Sequence, residues 1–202
     1  RFGKDRVVDM PISEAAIVGV GCGAALNGKT VVCEMQFIDF ISCGFDQIVN
    51  MTATFHYRTA GEVAIPMVIR GPAGAYGGGA LYHSQTNEAW FAHSPGLKVV
   101  CPSTPSDAKG LLKSAIRDPN PVIFYEIKQL YRDKKIEQDL LVGDDALVPL
   151  GKAKVVREGE DVTLVSYGQT VWQCIEAAAN LDKEGFSAEV IDLRTLVPLD
   201  QE

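Results

Sequence analysis

Residues 162–196 constrain the fold most tightly. VTLVSYG (162–168) reads as a strand, QTVWQCIEAAANLDKEG (169–185) as a helix and SAEVIDLRTL (187–196) as a second strand. Together they make one βαβ unit, whose crossover implies a parallel pair. So short a unit cannot bury its own core, so a second domain is expected to begin here and to be truncated. The same alternation runs through the chain upstream. PISEAAIVGVGCGAALNG (11–28) reads as a helix capped by Ser13 and stopped by Asn27-Gly28. Its body is small or apolar nearly all round, which predicts burial among neighbours. TVVCEMQF (30–37) follows as a strand, and 39–61 as a helix with Phe45, Ile48, Val49, Thr52 and Phe55 at helical spacing. AIPMVIRGP (64–72), LKVVCPS (97–103) and PVIFYEIK (121–128) are further strands, and 105–118 is an amphipathic helix with Ser103 or Ser106 as cap. PVIFYEIK is apolar almost without interruption, as expected of a strand covered on both faces. The reading is an α/β fold with a mostly parallel sheet and helices on both faces, followed by the start of a second α/β domain. Composition turns polar after Tyr131, and 132–161 reads as a linker with short strands.

Several classes of function are excluded by the totals. The 202 residues carry 26 acidic against 19 basic side chains, a formal charge of −7. No Lys/Arg cluster marks a nucleic-acid footprint. No apolar run reaches the roughly 18 residues of a membrane span, and no signal peptide opens the chain. It begins at Arg1 and stops at PLDQE, and both ends read as cuts. The five cysteines, Cys22, Cys33, Cys43, Cys101 and Cys174, form no CxxC pair, which predicts reduced thiols in a cytosol-like compartment.

Two glycine runs could be mistaken for nucleotide loops. Gly19–Ala24 lies inside the first helix, where small residues serve close packing. Gly74–Gly79 does follow a strand, but it lacks the phosphate-binding Lys-Ser/Thr and no helix opens directly after it. That run leads instead to His83, which sits among Tyr82, Ser84 and Gln85, neighbours able to fix its tautomer. His56 reads as a surface or interface residue and His93 as a satisfied, partly buried one. Glu14 follows the cap Ser13 in a helix that otherwise reads as buried. It either complements the helix dipole or, in an apolar site, has a raised pKa and shares a proton with a ligand nitrogen. There is no HxxxH, CxxC, EF-hand or GxSxG pattern.

Taken in order, DMPISEAAIVGVGCGAAL, EMQFIDF, FDQIVN, GALYHSQTNEAWFAHSPGLKVV, PSDAKGLLKSAIRDPNPVIFYE and VIDLRTLVPLD resemble the beta subunit of the 2-oxoacid dehydrogenase decarboxylating component. That is the thiamine-diphosphate enzyme of the pyruvate and branched-chain complexes. The resemblance covers essentially the whole chain and implies a transketolase-like pyrimidine-binding domain over 1–140, followed over 141–202 by a linker and the truncated start of a transketolase C-terminal domain. It implies that Glu14 hydrogen-bonds the cofactor's aminopyrimidine nitrogen, favouring the tautomer that generates the thiazolium carbanion. Gln36 and Phe40 would line the pyrimidine, Phe40 standing where branched-chain relatives usually carry tyrosine, and Ile12 would offer a backbone group. His83 would assist acyl transfer to the lipoyl arm by protonating the opening dithiolane sulfur. SAIRDPNP resembles a potassium loop, with the Ala115 carbonyl, Asp118 and Asn120 as ligands, although a capped helix end followed by a turn would explain the same residues.

The family's Gly-Asp-Gly grip on diphosphate and magnesium is missing; only GDDA at Gly143 is similar. An alpha subunit would then supply the diphosphate half and the magnesium, in an α2β2 heterotetramer with sites at subunit interfaces. The implied reaction is oxidative decarboxylation of a 2-oxoacid and reductive acylation of lipoyl-lysine, with the lipoyl domain and acyltransferase core as further partners. GGGALYHSQ and KQLYR lean to the branched-chain type over pyruvate. An acetoin-cleaving relative would look nearly the same, and the glycine runs leave a nucleotide-binding oxidoreductase as the rival class. The resemblance places the protein in the bacterial cytoplasm or the mitochondrial matrix.

Overall fold

The computed structural model describes residues 2–136, 138 and 146–202. Helix α1 spans Glu14–Leu26, and the Ser13 side chain accepts from Ala16 N at 3.4 Å, as the sequence predicts. Asn27 closes it through Nδ2 to Gly23 O at 2.8 Å, and Gly28 turns the chain with φ +77°. Strand β1 (Val31–Glu34) then runs back along the helix. Strands β2 (Met67–Ala73), β3 (Lys98–Val100) and β4 (Val122–Ile127) pair parallel with it in the order β1-β2-β4-β3. The central pairing is the longest, from Val68↔Val122 to Ala73↔Ile127.

Alternation along these strands sets two faces. On one, Met35, Ile69, Ile123 and Tyr125 pack with Val18 and Cys22 of α1. On the other, Val68, Val100, Val122 and Phe124 pack with Leu111 and Ala115 of the helix over Pro105–Arg117. Two short helices, α2 (Phe55–Arg58) and α3 (Glu88–Ala92), precede that one, which is therefore α4. In the C-terminal part, β5 (Lys154–Arg157), β6 (Val162–Ser166), α5 (Thr170–Leu181) and β7 (Ala188–Asp192) form a three-stranded unit, with β6 and β7 parallel. All five cysteines are free thiols. Burial pushes the Cys33 thiol up to about 12, which keeps it protonated in the core, while Cys43 is exposed.

Four expectations are corrected. Residues 39–61 are not one α-helix. Ile38–Gly44 is a 3₁₀ turn, Gln47–Thr52 a π-helix, and only Phe55–Arg58 a further short α-helix. Threonine hydroxyls compete for the carbonyls, Thr52 Oγ1 reaching Gln47 O and Thr54 Oγ1 reaching Asn50 O, both at 2.8 Å. Ala53 N reaches back five residues to Ile48 O at 2.9 Å. Helix α1 buries only one stripe within this chain, Val18, Gly21, Cys22 and Ala25; Val20 and Leu26 are exposed. Its close packing centres on Gly21, where a Cβ would stand 2.5 Å from Cys33 Sγ. The cap of α4 is Thr104, whose Oγ1 accepts from Asp107 N at 3.1 Å, because Ser103 is committed to Asp192 instead. Finally, 187–196 is not one strand. The chain turns at Arg194, φ +56°, and Thr195–Val197 (β8) joins the first sheet antiparallel to β3.

Candidate active site

Because α1 and β1 run in opposite directions, the start of the helix and the carboxyl end of the strand share one edge of the sheet. The loops after β1, β2 and β4 open at that same edge, where open parallel sheets bind their ligands. Glu14 begins α1, Gln36 and Phe40 follow β1, His83 follows β2 and Lys128 follows β4.

The loop after β2 closes on itself, Gly74 N donating to Gln85 O at 2.9 Å. Gly74, Gly77 and Gly78 take positive φ of 83°, 75° and 74°. Gly79 is needed for space, since an added Cβ would lie 2.6 Å from the His83 Cβ. The run ends in the single turn Ala80–Tyr82, so no helix N-terminus follows to cradle a phosphate.

His83 is half-buried, its ring edge-on to Phe37 at 4.5 Å and 80° and to Phe40 at 5.6 Å and 88°. The expected tautomer partners do not serve that purpose. Ser84 N and Gln85 N both donate to Asp39 Oδ1 at 3.0 Å, Gln85 Nε2 donates to Leu81 O at 2.7 Å, and Tyr82 is exposed. Among the described residues the imidazole nitrogens make no hydrogen bond, which leaves them to a ligand. The carbonyl of His83 accepts from Lys128 Nζ, which also lies 5.0 Å over the Phe37 ring. Beneath the loop, Asn87 Nδ2 donates to Ile38 O at 3.2 Å and its Oδ1 accepts from Tyr125 OH at 2.8 Å. Burial pushes the neighbouring Glu88 carboxyl above the usual range.

Glu14 is half-buried, and among the described residues its carboxylate makes no hydrogen bond or ion pair. Its backbone packs on Gly44, where a Cβ would stand 3.1 Å from Glu14 O. Gly44 ends the same 3₁₀ segment whose Phe40 touches His83. At a rise of about 2 Å per residue, Phe40 and Gly44 are about 8 Å apart along it. One short 3₁₀ turn thus lies against both the Glu14 backbone and the His83 ring. Gln36, two residues after β1, is exposed, and Ile12 is fully exposed on the turn closed by Ser13 N to Pro11 O at 2.7 Å. An unengaged carboxylate, an open amide and a phenyl ring suit a flat nitrogen heterocycle, so these residues fit the pyrimidine half of a cofactor.

The candidate cation loop does not fit an ion. Asp118 is ion-paired to Lys98 through Oδ2, and its Oδ1 accepts from Asn120 N at 2.9 Å and Asn120 Nδ2 at 3.1 Å. The Ala115 carbonyl accepts from Asp118 N at 3.3 Å. This is the capped helix end with a turn, its charge balanced by the lysine. His93 is corrected too: it is exposed and lines a shallow cleft with Ser42, Phe45, Ala89 and Trp90. His56 is exposed as expected, its Nδ1 2.9 Å from Val63 O. GDDA at Gly143 lies outside the described residues.

Asp39, Asn87, Tyr125 and Lys128 were missed by sequence reasoning. The available signal was a charge inside an apolar run, Asp39 in FIDFI and Lys128 closing VIFYEIK, since buried charges occur where something pairs with them.

Comparison with known proteins defines the class. The chain belongs to the family described as "Transketolase, pyrimidine binding domain", which matches residues 1–134, and "Transketolase, C-terminal domain" matches 151–202. Over all 202 residues it is 51% identical to the 2-oxoisovalerate dehydrogenase subunit beta of Bacillus subtilis (strain 168), covering 61% of that protein. It is 50% identical over 202 residues to the mitochondrial pyruvate dehydrogenase E1 component subunit beta of Caenorhabditis elegans, covering 57% of it. The chain thus spans little more than half the length of these relatives. A solved structure titled "Split gene transketolase, inactive beta4 tetramer" superposes with a TM-score of 0.75 at 25% identity, over 95% of this chain and 58% of that one. Among the described residues no helix is long and apolar enough to cross a membrane.

Proposed function

We propose that this chain is the pyrimidine-binding part of the beta subunit of a thiamine-diphosphate-dependent 2-oxoacid dehydrogenase component. Residues 1–140 would form the pyrimidine-binding domain and 141–202 the start of the C-terminal one. The observation that supports the reading is that Glu14, Gln36, Phe40 and His83 all lie on segments at the carboxyl edge of the parallel sheet, with the Phe40 ring edge-on to His83 and Gly44 of the same 3₁₀ turn against the Glu14 backbone.

Thiamine diphosphate, when bound, supplies the electron sink that lets a 2-oxoacid lose carbon dioxide. Glu14 holds a proton against a pyrimidine nitrogen, a task open to a carboxylate with no competing partner nearby. Gln36 and Phe40 flank the ring, Phe40 by apolar contact alone, and Ile12 offers a backbone group. As the S–S bond of the lipoyl dithiolane breaks, one sulfur takes the acyl group and His83 delivers a proton from an imidazole nitrogen to the other, departing sulfur; the acylated lipoyl arm then carries the group to the acyltransferase core. An alpha subunit completes an α2β2 heterotetramer and holds the diphosphate and magnesium. Potassium has no place in this reading, because Lys98 already balances Asp118. The setting is the bacterial cytoplasm or the mitochondrial matrix.

The branched-chain substrate is favoured. Full-length protein assembled with its alpha subunit is expected to bind thiamine diphosphate and to show its highest kcat/KM on 2-oxoisovalerate among 2-oxoisovalerate, pyruvate and acetoin. Tight binding of a dinucleotide without thiamine diphosphate binding would overturn the reading in favour of an oxidoreductase. Gly79→Ala tests the loop. At φ −70° alanine is unstrained, so only the clash with His83 acts. Relieving a clash at its Cβ and carbonyl oxygen requires the His83 backbone to move, which is expected to lower kcat by about 10²-fold with only a modest fall in melting temperature. Full activity would show that the placement of His83 does not govern turnover and would overturn its role as the acting group.

A further inference from the structure

We propose that Asp39 and Lys128 are positioning residues for His83, gripping from opposite ends the peptide unit that follows it. The His83 carbonyl accepts from Lys128 Nζ, and the N–H of the same peptide, on Ser84, donates to Asp39 Oδ1 at 3.0 Å. The next amide, Gln85 N, donates to the same oxygen at 3.0 Å. Both charges are withdrawn from water, Asp39 being 5% exposed and Lys128 9%, so these charge-assisted bonds are strong and weakly screened.

The geometry has one sense only. A cation at the oxygen and an anion at the N–H both stabilise this orientation of the peptide dipole. A flipped peptide would turn its oxygen on the carboxylate and its N–H on the ammonium, which is repulsive at both ends. The preceding peptide is held too, His83 N donating to Ala80 O at 3.4 Å, so with both neighbouring planes fixed ψ of His83, 23°, and the direction of its Cα–Cβ bond are set. The aromatic bracket then limits the ring. Phe40 is adjacent to Asp39 on the same turn, and Lys128 lies over the Phe37 ring whose other contact is His83. An imidazole with no hydrogen bond of its own among the described residues is thereby oriented through its backbone. Asp39 is 45 residues from Ser84 in sequence, so this is no local Asx turn. Its Oδ2 is buried without a partner, so the carboxylate is held there by the two amides alone among described groups.

The proposal rests on the reading of His83 as an acting group, and its test separates the two. Full-length protein assembled with its alpha subunit is compared with Asp39→Ala, Asp39→Asn and Lys128→Gln. Hydrogen–deuterium exchange is measured on peptides containing Ser84 and Gln85, alongside kcat and KM. Asp39→Ala is expected to speed exchange of those amides by about tenfold or more, the loss of a charge-assisted hydrogen bond. It should also lower kcat by about 10–100-fold, as for a misaligned group, with KM little changed. Asp39→Asn keeps an acceptor and is expected to restore much of both. Lys128→Gln is expected to move kcat in the same direction, and it serves if Asp39→Ala does not assemble. Unchanged exchange in Asp39→Ala, or faster exchange with kcat intact, overturns the proposal. If the assembled protein decarboxylates none of the substrates offered, the function reading fails while the exchange data still decide the clamp.

Discussion

Glu14→Gln, introduced into the full-length protein assembled with its alpha subunit, is expected to lower kcat by about 10²–10⁴-fold, the usual worth of a group that carries a proton in the reaction. The fold should survive the change. Glutamine has nearly the same shape, and the helix start is held by the Ser13 cap, which accepts from Ala16 N and does not involve residue 14's side chain. Loss of a negative charge in the first turn costs about 0.3–1 kcal/mol through the helix dipole, small against a stability of about 5–15 kcal/mol. Gly44 touches the backbone of Glu14, which the substitution leaves alone. The expected signature is therefore collapsed turnover with a melting temperature close to that of the parent. Cofactor affinity should fall less than kcat, since the amide still hydrogen-bonds a ring nitrogen but cannot hold the proton as an acid. A loss below about tenfold, worth about 1.4 kcal/mol of barrier, would sink the proton-holding role.

Glu14 and His83 stand out in the sequence because each is an odd residue in a strong local pattern. A carboxylate follows a cap at the head of an apolar helix, and an imidazole follows a glycine run. The nearby elements were legible for the same reason: the Ser13 cap and the apolar strand within 121–128 are each decided within a dozen residues. What was not legible depends on distant partners. Residues 38–58 have helical spacing, yet contact of Gly44 with Glu14 O and the threonine back-bonds wind them into three helix types. Ser103 has the chemistry of a cap, but Asp192, 89 residues away, claims its hydroxyl and leaves the role to Thr104. Asp39 and Lys128 meet one peptide 45 residues from each of them. Periodicity reports which face a residue is on; it carries no information about which loop arrives opposite.

Arg194→Met is expected to remove a large part of the chain's stability. The sequence reads 187–196 as one strand, whereas the structure breaks it at Arg194 and sends β8 into the other sheet. Arg194 holds that crossing. Its Nη1 lies 3.1 Å from Asp107 Oδ1, its Nε and Nη2 donate to Lys152 O at 3.0 and 2.8 Å, and Nη2 also donates to Ala153 O at 3.1 Å. Its own N–H donates to Asp192 Oδ1 at 3.0 Å, while Ser103 Oγ donates to Asp192 Oδ2 and Trp172 Nε1 to Ser103 O at 2.9 Å. The side chains of Arg194 and Asp107 are 10% and 6% exposed. Removing one partner of so buried a pair costs about 3–5 kcal/mol, most of it from the unpaired charge left behind. The melting temperature should fall by roughly 10 °C. A buried pair is poorly screened, so high salt should not erase the difference. The contrasting pair is Arg157 with Asp182, at 2.6 and 2.8 Å but 26% and 48% exposed; Arg157→Met should cost no more than about 1 kcal/mol, and salt should shrink even that. Adding Asp107→Leu to Arg194→Met removes the stranded charge and should recover part of the loss, which a double-mutant cycle measures as coupling. If Arg194→Met melts with the parent, the crossing is held by β3–β8 pairing alone and the guanidinium is dispensable.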